Sequence, residues 1–429
     1  MFKRFLKLQL HWQILIALVL AVAAGLLSGK DAGLWDVSFY QLYDFFGTLF
    51  LNALKMLIVP LIVSSIIVGM MSIGSGEALG RLGGKTLVYY ATTSLLAILV
   101  GLVAVNLTTP GLIDGQPAKE MIGLSEGADQ VAGKVEGKGA ADIVAVFLRM
   151  VPANIVTAAA EGQMLGLIFF SLLFGYFLTR IKEPQGTTLR HFWQGALDVM
   201  MEITNWVMKF APIGVFALVA KVVAASGVDA FMPLAIFFFT VLIALLFHFV
   251  INMSLILKFV AGVDPRRHYR AMAPALLTAF STSSSSATLP LTLDCVEQRA
   301  GVSNRVSSFT LPLGATVNMD GTALYECVAA MFIAQAYGLN LDFTTQFMIV
   351  LVALLTSIGV AGIPSASLVA ISIILASIGL PMEAVGLILA VDRVLDMCRT
   401  AVNVFSDSVA AVVIARLEGE TSVLSSEPG

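Results

Sequence analysis

The chain has 429 residues, of which 58% are hydrophobic and 12% are charged. A soluble globular protein carries about 25% charged residues, so this composition excludes a soluble protein and indicates an integral membrane protein. The formal net charge of −3 does not suggest a nucleic-acid partner. The cysteines, Cys295, Cys327 and Cys398, lack the paired spacing of a disulfide framework or a zinc site.

Six apolar segments in the first part of the chain are predicted to cross a membrane. A transmembrane helix needs about 20 mostly apolar residues. The segments that meet this requirement are 11–29, 42–74, 84–108, 142–180, 194–222 and 229–258. The second and fourth are over-long and contain Pro60 and Pro152, which predicts that they are tilted, kinked or broken.

The first apolar segment has a second interpretation. It follows Lys3, Arg4 and Lys7, so a cleaved signal peptide is the alternative to a transmembrane helix. The segment is long enough to span, and apolar segments continue through the whole chain. A retained first helix is therefore the favoured prediction.

Basic residues collect in alternate loops. Lysines and arginines are concentrated at the N-terminus and after the second, fourth and sixth segments. Because cytoplasmic loops carry the excess of these residues, the N-terminus is predicted to be cytoplasmic, and the six segments return the chain to that side. The loop 109–141 mixes both charges among many glycines and is predicted to be a flexible external loop.

Two later apolar segments are interrupted. The first, 271–293, contains a run of hydroxyl residues at 281–286 and has arginines on both sides, so it is predicted to enter and leave from the cytoplasm. The second, 343–380, is broken at 357–367 and lacks basic flanks, so it is predicted to enter from outside. Long segments follow each, at 303–337 and 383–416, which indicates an inverted repeat of the kind that forms a transporter's midplane site. Ordinary loops between full spans are the alternative.

Charged side chains fall inside the apolar segments of the C-terminal third. Each costs roughly 2.5 to 3.5 kcal/mol on insertion scales, so such residues are functional candidates. They are Asp320, Glu326, Asp392, Arg393, Asp396, Arg399 and Asp407. From Asp392 to Asp407, polar residues recur every three or four positions and share one helical face. A purely structural Asp396–Arg399 ion pair is the alternative, but it gives Asn403 and Asp407 no role.

The sequence 318–322, Asn-Met-Asp-Gly-Thr, is predicted to unwind the preceding helix. Unwinding would place the Asp320 carboxylate and the Asn318 amide oxygen at one spot, and these are hard oxygen ligands of the kind that an alkali cation prefers. A simple helix kink is the alternative.

The buried charges predict the chemistry of the ligands. Five acids and two arginines sum to −3 when all are ionised, so the site is expected to bind cations together with an anionic substrate. Arg399 suits a substrate carboxylate through its planar, two-pronged donors. Asp396, one turn away, suits an ammonium group. The hydroxyl-rich run predicts an anion cradle at a helix N-terminus, although such a run alone is a weak signal.

Four motifs carry a resemblance to a known family. They are SSSSATLP at 283–290, LPLGATVNMDGTALYE at 311–326, SIGVAGIP at 357–364 and DMCRTAVNV at 396–404. Together they resemble the glutamate and aspartate transporters, the dicarboxylate/amino acid:cation symporters, in their prokaryotic, excitatory amino acid transporter-like form. The resemblance implies an all-α membrane protein with eight transmembrane segments, two re-entrant helical hairpins and inverted repeats. It also implies a homotrimer and an elevator-type movement.

The resemblance implies a division of the chain into scaffold and transport parts. The scaffold would comprise helices 1 and 2 (1–81) and helices 4 and 5 (142–224). The transport domain would comprise helix 3 with the external loop (82–141), helix 6 (225–265), re-entrant hairpin 1 (266–300), helix 7 with its break (301–340), hairpin 2 as the gate (341–381) and helix 8 (382–417). A cytoplasmic tail (418–429) would follow.

The resemblance also implies the substrate-binding residues. Asp396 would bind the amino group of the substrate and Arg399 its side-chain carboxylate. Asn403 and Ser285 would bind the α-carboxylate. The full set is Ser283, Ser285, Met319, Thr322, Ile363, Ser367, Asp396, Arg399, Thr400 and Asn403.

Sodium ions are the implied co-transported ions, with no organic cofactor. One site would use Asn318, Asn403, Asp407 and the Gly314 carbonyl. The complete set of implied ligands is Tyr90, Thr93, Ser94, Gly314, Thr316, Asn318, Asp320, Ser357, Ile358, Val360, Asn403 and Asp407. Glu326 matches the position at which proton-coupled and potassium-coupled relatives carry an acid.

The chain departs from the family pattern at several positions. Many members carry a further arginine at the position of Ser283 or of Met397, and its absence leaves proton or potassium coupling open. Ser406 stands where a glycine is usual before Asp407, Val360 where a small or hydroxyl residue is common, and Ser367 where a glycine is usual. These departures are expected to affect affinity and gating.

The leading prediction is a sodium-driven symporter of acidic amino acids, with additional proton coupling left open, in the inner (plasma) membrane with both termini cytoplasmic. Its predicted partners are the substrate, the lipid bilayer and further copies of the chain. A proton-coupled C4-dicarboxylate carrier and a neutral amino acid transporter are alternatives. An intramembrane serine hydrolase is disfavoured, because His248 alone among the four histidines lies well inside a span and no GxSxG motif is present. A passive ion channel is the remaining alternative.

Overall fold

The computed structural model describes residues 10–34, 37–72, 77–118, 148, 151–161, 164–227, 231–339, 341–357, 367–381, 384–421 and 423–424. These residues are almost entirely helical, and the predicted all-α class is confirmed. In chain order the helices are α1 (Leu10–Ser28), α2 (Phe39–Ser72), α3 (Glu77–Thr108), α4 (Ile155–Ala160), α5 (Met164–Leu178), α6 (Gln185–Met208), α7 (Ala211–Ser226), α8 (Phe231–Val260), α9 (Pro265–Thr282), α10 (Ser285–Asp294), α11 (Asn304–Val317), α12 (Asp320–Ala336), α13 (Phe343–Ser357), α14 (Ser367–Ile378) and α15 (Val385–Leu417).

Short irregular elements accompany these helices. Two π-helical stretches, His248–Asn252 and Ile256–Val260, lie within α8, and α10 continues into a third. Strand β1 (Gly33–Leu34) pairs with β2 (Val37–Ser38), and β3 (Leu112–Ile113) pairs with β4 (Gln116–Pro117). The second pair occupies the start of the predicted external loop, most of which lies outside the described residues.

Several helices are long and apolar enough to cross a membrane. Among the described residues they are Phe39–Met71, Leu82–Thr108, Phe231–Val260 and Ile388–Leu417. The pair α6 and α7, bent by 52°, adds one more if it forms a single broken span. The chain is therefore a multi-pass membrane protein, while eight spans with two hairpins stays a prediction.

Two of the predicted spans are interrupted. In the fourth, 142–180, residues 151–154 are not helical and α4 begins only after Asn154, in agreement with the break predicted for this segment from Pro152. The Asn154 Oδ1 atom accepts from the backbone N–H groups of Val156 and Thr157 at 2.9 and 3.2 Å, which fixes that start. The fifth, 194–222, is divided where α7 begins with a proline in its first turn.

The helices form two packing groups. α1, α2, α5, α6 and α7 make up one group, in which α7 packs along α1 and α2. α3 and α8 to α15 make up the other, in which α12 and α15 contact most of their neighbours. Every residue of α12 is buried, as expected for a helix at the centre of a bundle. All the charges predicted inside apolar segments lie on α12 and α15.

Two helix pairs are interrupted by short stretches of non-helical backbone. Between α9 and α10, Ser283 is left-handed (φ 52°), and the Ser284 hydroxyl accepts from the Ala287 N–H at 3.2 Å to begin α10. Between α11 and α12, Asn318 and Met319 are non-helical (φ −101° and −120°). Each interruption places the N-terminus of a helix inside the second packing group.

Candidate functional site

Four charged side chains of α15 form a buried ion network, which we call the charge quartet: Asp392, Arg393, Asp396 and Arg399. The Arg399 guanidinium donates to Asp392 at 2.9 Å and to Asp396 at 2.7 Å. Arg393 donates to the other oxygen of Asp396 at 3.3 Å. The Tyr325 hydroxyl donates to Asp392 at 2.9 Å, and its ring lies 4.3 Å from the Arg399 guanidinium carbon. Two acids and two bases leave the quartet neutral.

The quartet is costly to bury and therefore needs complete pairing. Arg399 is 1% exposed, and removal of one partner from a buried ion pair leaves an uncompensated charge. The Nε atom of Arg393 is buried without a hydrogen-bond partner among the described residues. The i, i+3 pair predicted as a structural alternative is present. Asp392 and Asp396 use two of the five N–H donors of Arg399, so a carboxylate that binds Arg399 must share the guanidinium with these acids or replace one of them.

A second buried cluster surrounds the Asp320 carboxylate at the start of α12. One oxygen accepts from Ser94 at 2.7 Å and from Thr93 at 3.4 Å. The other accepts from Ser406 at 2.6 Å and lies 3.3 Å from the His248 Nε2 atom. All five side chains are buried. The Ser94 and Ser406 contacts are the short ones, so each oxygen of Asp320 accepts one short hydrogen bond from a hydroxyl.

Asn318 connects Asp320 to Asp407. Its amide nitrogen donates to the Ser406 hydroxyl at 3.0 Å and to the Asp407 Oδ1 atom at 2.9 Å. Its amide oxygen lies 3.4 Å from the Thr93 hydroxyl. We refer to Asp320, Asp407, Asn318, Ser406, Thr93 and Ser94 as the oxygen cluster. It holds two carboxylates and, unlike the quartet, no arginine or lysine.

Two glycines let the helices approach closely enough to build these clusters. A Cβ atom at Gly314 would lie 2.5 Å from Asp407 Oδ1 and 2.8 Å from the Tyr90 hydroxyl oxygen. A Cβ atom at Gly321 would lie 2.6 Å from the Arg399 carbonyl oxygen. Larger residues would force α11 and α12 away from α15, so both positions require glycine.

Asn403 lies between the quartet and the oxygen cluster. Its amide oxygen accepts from the backbone N–H groups of Gly321 and Thr322 at 2.8 and 3.3 Å, and its nitrogen donates to the Thr322 hydroxyl at 2.9 Å. This side chain therefore satisfies N–H groups at the start of α12, which lack a partner within the helix. It ties α12 to α15 at the level of the helix interruption.

The starts of α10 and α14 carry buried hydroxyl groups. The Ser283 and Ser367 hydroxyl oxygens are buried and have no hydrogen-bond partner among the described residues. Ser285 is also buried, in the first turn of α10. Unpartnered buried hydroxyls are uncommon and call for an explanation such as an absent binding partner.

The described residues contain no group of three or more His, Cys, Asp and Glu side chains arranged for a metal ion. The oxygen cluster instead offers carboxylate, amide and hydroxyl oxygens, which suit a hard cation. The profile of the sodium:dicarboxylate symporter family matches residues 10–417. The chain belongs to this family. It is therefore a membrane transporter and not an enzyme.

Relatives of known name are similar to this symporter over nearly its whole length. The proton/sodium-glutamate symport protein of Bacillus caldotenax is 36% identical over 414 residues, covering 96% of each chain. The proton/glutamate-aspartate symporter of Escherichia coli K12 is 34% identical, covering 96% of this chain and 94% of the relative. Human excitatory amino acid transporter 3 is 35% identical, covering 97% of this chain and 87% of the relative.

The structure brings most of the predicted site residues together on α3, α11, α12 and α15. Three members of the predicted set, Ile358, Val360 and Ile363, lie outside the described residues. Met319 is buried against Leu61 and Ala370. The remaining hydroxyls bond to the backbone of their own helices: Thr400 to Asp396, Thr316 to Leu313 and Ser357 to Leu354.

Glu326 of the symporter is a separate buried acid on α12. One oxygen accepts from the Thr356 hydroxyl at 3.1 Å, and the other is buried without a partner among the described residues. An ionised carboxylate in this position is poorly compensated. Thr356 belongs to α13, so Glu326 links the central helix to the first half of the second predicted hairpin.

Four contacts of the site were not predicted from the sequence. His248 was noted only in the argument against a hydrolase, although an intramembrane histidine is itself a signal of a polar partner. Arg393 was counted as a buried charge without its partner, Asp396, and Tyr325 was not singled out. Ser406 was noted as a departure from the family pattern but not as a contact of Asp320.

An apolar cavity elsewhere in the symporter does not suit a charged ligand. It has a volume of about 460 Å³ and is lined by residues of α2, α6 and α7, among them Phe46, Phe50, Trp206 and Phe210. None of the buried charges of α12 and α15 lines it. The candidate site is therefore the charged region between α12 and α15.

Proposed function

We propose that this symporter imports acidic amino acids, L-aspartate or L-glutamate, together with sodium ions. The observation that carries the proposal is the neutral, fully buried charge quartet on α15, which includes an arginine and an aspartate one turn apart. The names of the relatives, which include glutamate and aspartate as substrates and protons or sodium as co-transported ions, support it.

The quartet suits a ligand with one ammonium and two carboxylate groups. When a side-chain carboxylate binds Arg399, it replaces Asp396, and the ammonium group of the same ligand then compensates Asp396. Arg393 stays within reach of Asp396, and Asp392 stays on Arg399. Every buried charge keeps a partner, which avoids the penalty for a lone buried ion. A dicarboxylate without an ammonium group would leave Asp396 without this compensation.

Sodium is the proposed cation for the oxygen cluster. The cluster offers carboxylate, amide and hydroxyl oxygens, and its two acids carry no arginine or lysine partner. The cluster lies beside Asn403, which also contacts the start of α12. Cations and substrate would therefore bind to the same two helices, α12 and α15. Ligands that share such elements are expected to bind cooperatively.

The proposal includes the movement and the assembly implied by the family resemblance. The two packing groups would be a scaffold and a mobile transport domain, with the pair α13 and α14 as the external gate and three copies in the assembly. The burial of both clusters within one packing group supports this division, because substrate and cations could then move as one cargo.

The purified chain in liposomes tests the function. We expect an inward sodium gradient to drive accumulation of radiolabelled aspartate or glutamate above equilibrium, and choline in place of sodium to abolish it. Passive equilibration without accumulation would indicate a channel. Succinate uptake that excess aspartate does not inhibit would instead favour the dicarboxylate alternative.

Glu326 is the proposed proton site, so Glu326→Gln is expected to flatten the dependence of uptake on pH. Glutamine keeps the contact with Thr356 and removes the exchangeable carboxyl proton. Uptake should be measured at fixed sodium with the wild type in parallel. A variant with the wild-type pH profile would refute proton coupling through Glu326, and Glu297→Gln is the matched control.

A further inference from the structure

The hydrogen bonds of Ser406 set this residue apart from the other hydroxyls of the oxygen cluster. Ser406 is 0% exposed. Its single proton is donated to Asp320 at 2.6 Å, and its oxygen accepts from the Asn318 amide at 3.0 Å. The bond to Asp320 is shorter than the other three contacts of that carboxylate. Hydrogen bonds to charged groups are among the stronger ones in proteins.

Both oxygens of the Asp320 carboxylate accept hydrogen bonds in this arrangement. Ser94 donates to one oxygen at 2.7 Å, with the Thr93 hydroxyl 3.4 Å away, and Ser406 donates to the other at 2.6 Å, with the His248 Nε2 atom 3.3 Å away. The other ring nitrogen of His248, Nδ1, lies 3.1 Å from the Asn252 amide nitrogen. A cation that binds the second oxygen must therefore compete with Ser406.

The hydroxyl donors around Asp320 differ in the hydrogen-bond acceptors that are available to their protons. The Thr93 hydroxyl lies 3.2 and 3.3 Å from the carbonyl oxygens of Tyr89 and Tyr90, so its proton can turn to the backbone while its oxygen binds a cation. The contacts of Ser406 provide a single acceptor for its proton, Asp320 itself. Release of Asp320 leaves the Ser406 proton without an acceptor, which is unfavourable in a buried site.

We propose that the Ser406 hydroxyl competes with sodium for the Asp320 carboxylate and so lowers the sodium affinity of this symporter. The inference rests on the proposed sodium coupling and adds the residue that sets its affinity. Ser406 acts here as a positioning residue, because it holds the carboxylate rather than contributing the charge. The same hydroxyl also bonds to Asn318, so sodium binding at Asp320 is expected to shift the amide that contacts Asp407.

Ser406→Gly and Ser406→Ala both remove the competing hydroxyl. We expect each to lower the sodium concentration that gives the half-maximal effect by roughly tenfold or more, the size expected when one hydrogen bond to a charged group is lost from the competing state. The readout is the thermal midpoint of the purified full-length protein without substrate, titrated with NaCl and balanced with choline chloride to constant ionic strength. Sodium-driven aspartate uptake is the second readout.

Ser408→Ala is the matched control, because Ser408 is equally buried on the same helix but contacts His268 and the Phe405 carbonyl. Its sodium concentration for the half-maximal effect is expected to equal that of the wild type. If this sodium concentration were unchanged or raised in both Ser406 variants, the inference would be overturned while sodium coupling stayed intact. If the exchange of choline for sodium did not change the thermal midpoint of the wild type, both the inference and the proposed coupling ion would be overturned.

Discussion

Arg399→Cys is expected to abolish uptake of aspartate and glutamate. The substitution removes the carboxylate partner of the proposed substrate and also leaves Asp392 and Asp396 without their shared guanidinium. Loss of one partner from a buried ion pair costs about 3 to 5 kcal/mol, which corresponds to a decrease of more than roughly 100-fold in binding. Uptake of aspartate and glutamate into liposomes measures the effect. Uptake of serine or alanine by the same variant tests whether it has gained neutral substrates.

Arg305→Cys provides the matched control for Arg399→Cys. The Arg305 side chain is 65% exposed and lies 3.8 Å from Glu418, away from both buried clusters. It is expected to transport acidic amino acids at close to the wild-type rate. Aspartate uptake at the wild-type rate by Arg399→Cys would show that Arg399 has a purely structural role, as the partner of Asp396 in an ion pair.

Asp407→Asn is expected to raise the sodium concentration that transport requires. The amide keeps the size of the side chain but removes one of the two negative charges of the oxygen cluster, and it places a second amide opposite Asn318. We expect the sodium concentration for half-maximal uptake to rise by more than about tenfold, because a hard cation depends on carboxylate ligands. The measurement is aspartate uptake against sodium concentration at constant ionic strength.

The exposed Asp294, at the end of α10, gives a matched control for Asp407. Asp294→Asn is expected to leave the sodium dependence unchanged. If Asp407→Asn responded to sodium as the wild type does, the oxygen cluster would not be the cation site, and the coupling ion would have to bind elsewhere in the chain.

The parts of the fold that could be predicted were those set by hydropathy and by strong local signals. The apolar runs predicted α2, α3 and α8 closely, and the polar stripe predicted a buried face on α15. The start of α4 and the division of the fifth span were not predicted, because they depend on a side-chain cap at Asn154 and on a proline in the first turn of α7. Local bonds of this kind are invisible to an average of hydropathy.

The candidate site was predicted as a set of residues rather than as a set of contacts. Periodicity places Asp392, Asp396 and Arg399 on one face, but it cannot decide which acid pairs with which base, since that depends on side-chain rotamers. The contacts of Asp320 come from three other helices, α3, α8 and α15. Such long-range proximity has no local signature, so the partnership of His248 and Ser406 could not be read from the sequence.

The neutrality of the charge quartet determines how the membrane potential would act on transport. A unit charge that crosses the membrane gains or loses about 2.3 kcal/mol per 100 mV. When Glu326 is protonated it carries no charge, and the quartet has no net charge. The two carboxylates of the oxygen cluster, when ionised, then give the empty carrier two negative charges. Sodium ions that neutralise them leave only the single negative charge of the amino acid, which a further cation would cancel. An inside-negative voltage would then act mainly on the return of the empty carrier, by drawing its negative charge outward.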